Sequence, residues 1–266
     1  MGRVCLGLTA ALLLVSCRQD NPEPVPAETP TPTESASATP LPASGARAVA
    51  EETGDFLFEY SYPEEAGDIP ELAALLGDRL DEVRADIAAQ SAAGREAAHD
   101  DGFPFNKYSS STAWQVVANT PRFLSLSSNI ESYTGGAHGN YGFGALVWDR
   151  EAGKALEPED FFTRLDALDD ILAETFCEQL NAERAKRRGQ PVEEGSEEMF
   201  DACVPLSDTT ILLGSAGGKA FNRIGVQVGP YVAGPYAEGS FEFTFPVTPA
   251  MLEVVKEEYR SAFAVR

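Results

Sequence analysis

Two spacings of apolar residues alternate along this chain, and their order restricts the fold more than any other feature. Phe56, Phe58, Tyr60 and Tyr62 fall on every second position, the pattern of a half-buried strand, and Pro63 closes it. Leu72, Leu75, Leu76, Leu80, Val83 and Ile87 then recur three and four residues apart, which is one face of a helix. Asp68-Ile69-Pro70-Glu71 predicts the helix start, with Asp68 as N-cap and Pro70 in the first turn, and Gly94 predicts its end. Strand patterning returns at 114–118, 123–132 and 143–148, with Leu124, Leu126 and Ile130 expected on one inner face. A second helical stripe follows in Leu165, Leu168, Ile171, Leu172, Phe176 and Leu180. Glu157, Glu159 and Asp160 are expected at its leading end. Arg184, Lys186, Arg187 and Arg188 are expected at its trailing end before Gly189, an order that complements the helix dipole. Strands at 210–213, 224–228 and 241–245 precede a closing helix, opened by Thr248-Pro249 and running through Met251, Leu252, Val255 and Tyr259. Helices spaced among mostly hairpin-connected strands imply an α+β domain rather than a parallel α/β sheet.

The N-terminal residues read as an address. Residues 4–15 form an apolar run behind Arg3, too short to span a bilayer and of signal-peptide length. The run ends in Leu14-Val15-Ser16-Cys17, which resembles a bacterial lipobox and predicts acylation of Cys17; the rival is an ordinary secretory signal. Residues 1–16 are therefore read as a lipoprotein signal peptide and 17–46 as a lipidated tether. From Asp20 to Ala46 the chain is rich in Pro, Glu, Thr, Ser and Ala, without the apolar side chains needed to offset the entropy of folding. The expected partner of this end is a membrane, reached through the lipid. The aspartate that retains lipoproteins in the inner membrane is replaced by Arg18, so in a Gram-negative cell the expected location is the outer membrane, facing the periplasm. The folding domain is expected at 47–266.

Export bears on the cysteines. With Cys5 lost and Cys17 acylated, Cys177 and Cys203 remain, and one disulfide is the expectation; a two-cysteine metal site is the rival. The whole chain carries 42 acidic against 20 basic residues, a net charge of −22, and residues 1–46 account for only −2 of it. That sign excludes a nucleic-acid partner and electrostatic docking on anionic lipid. Glu193, Glu194, Glu197 and Glu198 crowd one loop, read either as a solvated acidic segment or as a docking patch for a cationic protein.

Catalytic motifs are scarce. The two histidines, His99 and His138, cannot build a multi-histidine metal site, and no Gly-x-Ser-x-Gly elbow is present. Gly214-Ser215-Ala216-Gly217-Gly218-Lys219 imitates a phosphate loop, but Leu213 and Ala220 occupy positions that would need glycine and a hydroxyl; a β-turn is expected. No cofactor, metal or catalytic residue is assigned. The strongest local candidate is the glycine-rich stretch with Tyr133, Gly135, Gly136, His138, Gly139 and Tyr141. His138 there is either a ligand contact between aromatic walls, a general base, or a residue that holds a tight turn closed.

The segment Tyr133-Thr134-Gly135-Gly136-Ala137-His138-Gly139, leading to Ala145-Leu146-Val147-Trp148-Asp149, resembles the exported domain of RsiV-type anti-sigma factors. The same domain accompanies the peptidoglycan deacetylase PdaC, and a similar fold occurs in a secreted mycobacterial antigen. Glu157-Pro158-Glu159-Asp160-Phe161-Phe162 fits in order. So do Gln227-Val228-Gly229-Pro230-Tyr231, Gly234-Pro235-Tyr236-Ala237-Glu238-Gly239 and Phe243-Thr244-Phe245-Pro246. The resemblance spans 55–263 and implies a curved, mostly antiparallel sheet with helices packed against it. It implies binding rather than catalysis, because RsiV-type domains sense lysozyme by binding it and PdaC carries a separate catalytic domain. The expected function is a lipid-anchored, non-catalytic envelope binding protein for a cationic protein such as lysozyme, or for peptidoglycan. The alternative is an envelope hydrolase using His138 as base.

Overall fold

The computed structural model describes residues 45–193, 196 and 198–266. The signal peptide, Cys17 and the tether as far as residue 44 lie outside the described residues, as do Glu194 and Glu197.

Among the described residues, nine strands form two sheets. The first has six strands in sequence order: β1 (Arg47–Glu52), β2 (Phe56–Tyr62), β3 (Tyr108–Asn119), β4 (Phe123–Tyr133), β5 (Asn140–Asp149) and β6 (Lys154–Leu156). All neighbours are antiparallel except β2 and β3, which run parallel. A parallel pair needs a crossover, here a short turn α1 (Glu64–Gly67) and the long helix α2 (Pro70–Asp100). The second sheet is the antiparallel β7 (Thr210–Gly214), β8 (Arg223–Val228) and β9 (Phe241–Pro246). Helix α3 (Leu165–Arg188) lies on it, and the short α4 (Pro249–Val254) completes the chain with a 3-10 turn at Glu257–Ala262. The fold class is α+β as the alternating periods indicate, with two mostly antiparallel sheets where one was expected.

Alternation along each strand of the first sheet feeds two cores. Trp114, Leu124, Leu126, Leu146 and Trp148 face α2 and pack on Leu72, Leu76, Leu80 and Ile87. Phe123 and Val147 point the other way and join the core shared by the second sheet and α3. Phe176 of α3 meets Phe243 and Phe245 edge-on, with ring centroids at 5.4 and 6.2 Å. Each such buried ring contributes about 1.5–3 kcal/mol over its exposed state. The layers therefore run α2, first sheet, second sheet, α3.

Several boundaries differ from the sequence pattern, each for a local reason. Asp68 closes α1 rather than capping α2, whose N-cap is Ile69. Gly94 does not end α2, which continues to Asp100. A Cβ at Gly94 would stand 2.6 Å from Cζ of Tyr108, so this glycine makes room for a ring from β3. Glu157, Glu159 and Asp160 do not lead α3 but form a separate 3-10 turn, Pro158–Phe161. Buried Phe161 and Phe162 then pull the chain into an extended crossing, bridged to Val255, before α3 begins at Leu165. The same crossing ends α4 at Val254, because Thr163 N–H takes its carbonyl and Lys256 N–H turns to that of Phe161. Ile130 is 40 % exposed rather than buried with Leu124 and Leu126, because it lines an open cavity between the sheet and α2 instead of packing on the helix. Residues 214–219 do form a turn, between β7 and β8, held by Ser215 and Asn222. At the entry edge, β1 was not foreseen; Gly67 of α1 lies so close to the Gly45 backbone that no side chain would fit between them.

Candidate functional site

The hairpin of β4 and β5 carries the glycine-rich turn. Gly135 and Gly136 take positive φ values of 96° and 91°, which a side chain disfavours, and Tyr133 Oη donates to the Gly136 carbonyl at 3.1 Å. A Cβ at Gly139 would lie 2.8 Å from the Ser132 carbonyl oxygen. His138 is exposed on the rim of this turn, where its Nδ1–H donates to the Gly139 carbonyl at 2.7 Å. That bond leaves Nε2 as the acceptor, 3.4 Å from the hydroxyl of Tyr231.

Tyr231 belongs to the loop between β8 and β9, in the second sheet. That loop also supplies Tyr236, on which the His138 ring stacks at 4.1 Å with 21° between planes. Tyr236 is flanked by Tyr231 at 5.6 Å and meets Tyr141 of β5 edge-on at 6.0 Å. The result is a partly exposed aromatic platform of four rings from the β4–β5 turn, strand β5 and the β8–β9 loop, with Tyr231 half exposed and in a left-handed conformation, φ 66°. Of the predicted residues, His138 and Tyr141 enter it, while Tyr133 and the glycines shape the turn behind them. Tyr231 and Tyr236 were legible only as part of the family stretch. Gly-Pro-Tyr, at 229–231 and again at 234–236, is the signal that marks them.

The loop bearing the two tyrosines is fixed by the last turn of α3. Arg184, fully buried, donates through Nε to the Ala233 carbonyl and through Nη1 to the carbonyls of Asp201 and Ala202 and to Asn181. Arg188 pairs with Glu238 at 2.8 Å and Asp201 at 2.5 Å. Arg187 donates to the Glu238 carbonyl and lies 3.7 Å over the Phe241 ring. These arginines stand at the trailing end of α3 as expected, where they also act as tethers. The Glu238 contact holds the Arg188 guanidinium above its ordinary pKa. The Ser196 hydroxyl, then Arg188, keeps the Asp201 carboxyl below the usual range.

The disulfide forms as expected, Cys177 to Cys203 with Cα atoms 5.3 Å apart, and clips the segment holding Asp201 to α3. Glu193 and Glu198 are exposed on that segment. Arg188 thus joins the acidic loop to the aromatic platform. Among the described residues, no group of three or more His, Cys, Asp or Glu side chains is disposed to hold a metal ion.

The domain thus carries an aromatic platform where the β4–β5 hairpin meets the loop between β8 and β9. Residues 49–141, about a third of the chain, match the family model described as Deacetylase PdaC. The matched stretch is similar to the PdaC type to which the His138 motif pointed, and it includes that motif. Comparison with curated proteins finds no match. Similar solved structures include a DUF3298 family protein from Pseudomonas aeruginosa PAO1, 19 % identical over 86 % of this chain and 99 % of that one, with a TM-score of 0.46. Another is a DUF3298 family member from Bacteroides fragilis NCTC 9343, 16 % identical over 82 % of this chain and 96 % of that one, with a TM-score of 0.43.

Proposed function

We propose that this chain is an exported binding module, held to a bacterial membrane by lipid on Cys17, which captures a cationic envelope protein of the lysozyme class. The observation that carries the reading is the partly exposed platform of His138, Tyr141, Tyr231 and Tyr236, set beside an acidic loop. Tyrosine supplies large contact area at low entropic cost and dominates recognition surfaces. A net charge of −20 on residues 47–266 steers a basic partner and disfavours anionic polymers. The surroundings of His138 support binding over base catalysis. One ring nitrogen is spent on a carbonyl, the other faces a phenol, and no carboxylate orients the ring among the described residues.

Calorimetric titration with hen lysozyme at low and physiological salt tests this. Micromolar or tighter binding that weakens with salt but persists is expected, and Tyr236→Ala should reduce it by about 2 kcal/mol or more. Binding confined to low salt, or unchanged in Tyr236→Ala, would remove the partner assignment. Loss of membrane association in Cys17→Ser checks the anchor.

A further inference from the structure

A cavity of about 440 Å³ lies between the first sheet and α2, separate from the aromatic platform. Its floor is an adjacent set on the α2 side: Thr112 and Trp114 on β3, Ser128 on β4 and Gly144 on β5. Arg79 and Glu82 of α2 stand at its other wall. Ser128 is 1 % exposed, yet its hydroxyl has no hydrogen-bond partner. A buried unpaired hydroxyl costs about 1–3 kcal/mol and calls for an explanation. Gly144, directly across from it in the ladder, keeps this floor open, because a Cβ there would stand 2.6 Å from Ser128 Oγ. Tyr60 Oη accepts from Trp114 Nε1 at 2.9 Å and retains its own proton for donation.

We infer that this cavity binds a short, neutral saccharide. Glu82 and Glu157 against the single Arg79 disfavour an anion, and the Arg79 guanidinium, 5.7 Å over the Trp114 ring, disfavours a second cation at the indole. Three hydroxyls rule against a purely apolar guest. What remains is a ligand that both donates and accepts hydrogen bonds and offers one flat apolar face to an aromatic ring. Sugar rings have that constitution: vicinal hydroxyls meet the planar forks of Arg79 and Glu82, and axial C–H groups meet the indole. The cavity is large enough for a saccharide of one or two rings, within the range of ordinary ligand pockets. This inference does not rest on the protein-binding reading, since it shares no residue with the platform.

The experiment uses the full chain in a sugar-free zwitterionic detergent, with diacetylchitobiose and maltose as probes. Trp114 and Trp148 are the two tryptophans, so intrinsic fluorescence reports on the cavity and calorimetry on affinity. At least one probe should bind saturably with a millimolar or lower Kd. Ser128→Ala should weaken binding about tenfold without lowering Tm, because the hydroxyl it removes has no partner in the fold. Ser128→Leu should fill the floor and abolish binding, while Tyr236→Ala leaves it unchanged. No response to either probe at about 10 mM would overturn the proposal. So would wild-type affinity in Ser128→Ala together with a lowered Tm, which would assign the hydroxyl to the fold.

Discussion

Two glycines of α2 illustrate how one residue type serves opposite ends. Gly77 has only the Arg47 guanidinium within reach of a Cβ, at 3.4 Å, so Gly77→Ala should stabilise the protein by up to about 1 kcal/mol through helix propensity. Gly94 occupies the same helix, but the Tyr108 ring fills the space beside it. Gly94→Ala should therefore destabilise by about 1–3 kcal/mol despite the same propensity gain. Urea titration of Gly94→Ala, Tyr108→Ala and the double variant checks this, and a non-additive pair is expected. Reading Gly94 as a helix stop was reasonable, because a stop and a close approach leave the same letter in the sequence. Only the position of Tyr108, fourteen places downstream, distinguishes them. The buried Arg184 was hidden in a comparable way, among three neighbouring basic residues that do reach the surface or its edge.

Elements were legible where period and burial agree, as in β2, α2, α3 and β9, whose predicted stripes are their buried faces. They were misread where one non-local backbone bridge, Phe162 to Val255, overrides helical preference on both sides. The site shows the same division. The His138 turn announces itself by glycine density, whereas its partners arrive from a loop about ninety residues away in the other sheet. Arg188 is where these elements depend on one another. Arg188→Met should cost about 3 kcal/mol by leaving Asp201 and Glu238 unpaired, and should loosen the Tyr231–Tyr236 loop enough to weaken partner binding. Thermal unfolding alongside lysozyme titration checks both halves. The disulfide acts on the neighbouring segment by closing a 26-residue separation. Cys177→Ser with Cys203→Ser should lower stability by about 3.5 kcal/mol, as denaturant unfolding would show.

Across the domain, the excess of carboxylates makes acid the informative perturbation. Asp149 is buried, which pushes its pKa up. The paired bonds from Arg122 and the N–H groups of Ala152 and Glu151 outweigh this and hold it below the ordinary value. Its stabilising contribution is then present above the unfolded-state pKa and lost as pH falls below about 4. Denaturant midpoints measured from pH 7 to pH 3 should fall, and Asp149→Asn should reduce stability at pH 7 while flattening that dependence.

The entry of the chain into the domain has a mechanical consequence. Strand β1 is an edge, paired on one side only, and its first residue sits opposite Tyr62, next to the Gly45–Gly67 contact. Any tension applied from the N-terminal side is borne first by this six-residue ladder and not by either core. Pulled along the strand, its hydrogen bonds share the load in shear; pulled across it, they open one after another. A sideways pull on the domain would therefore peel β1 while the aromatic platform and the cavity stay intact, so the entry strand is compliant where the two cores are not.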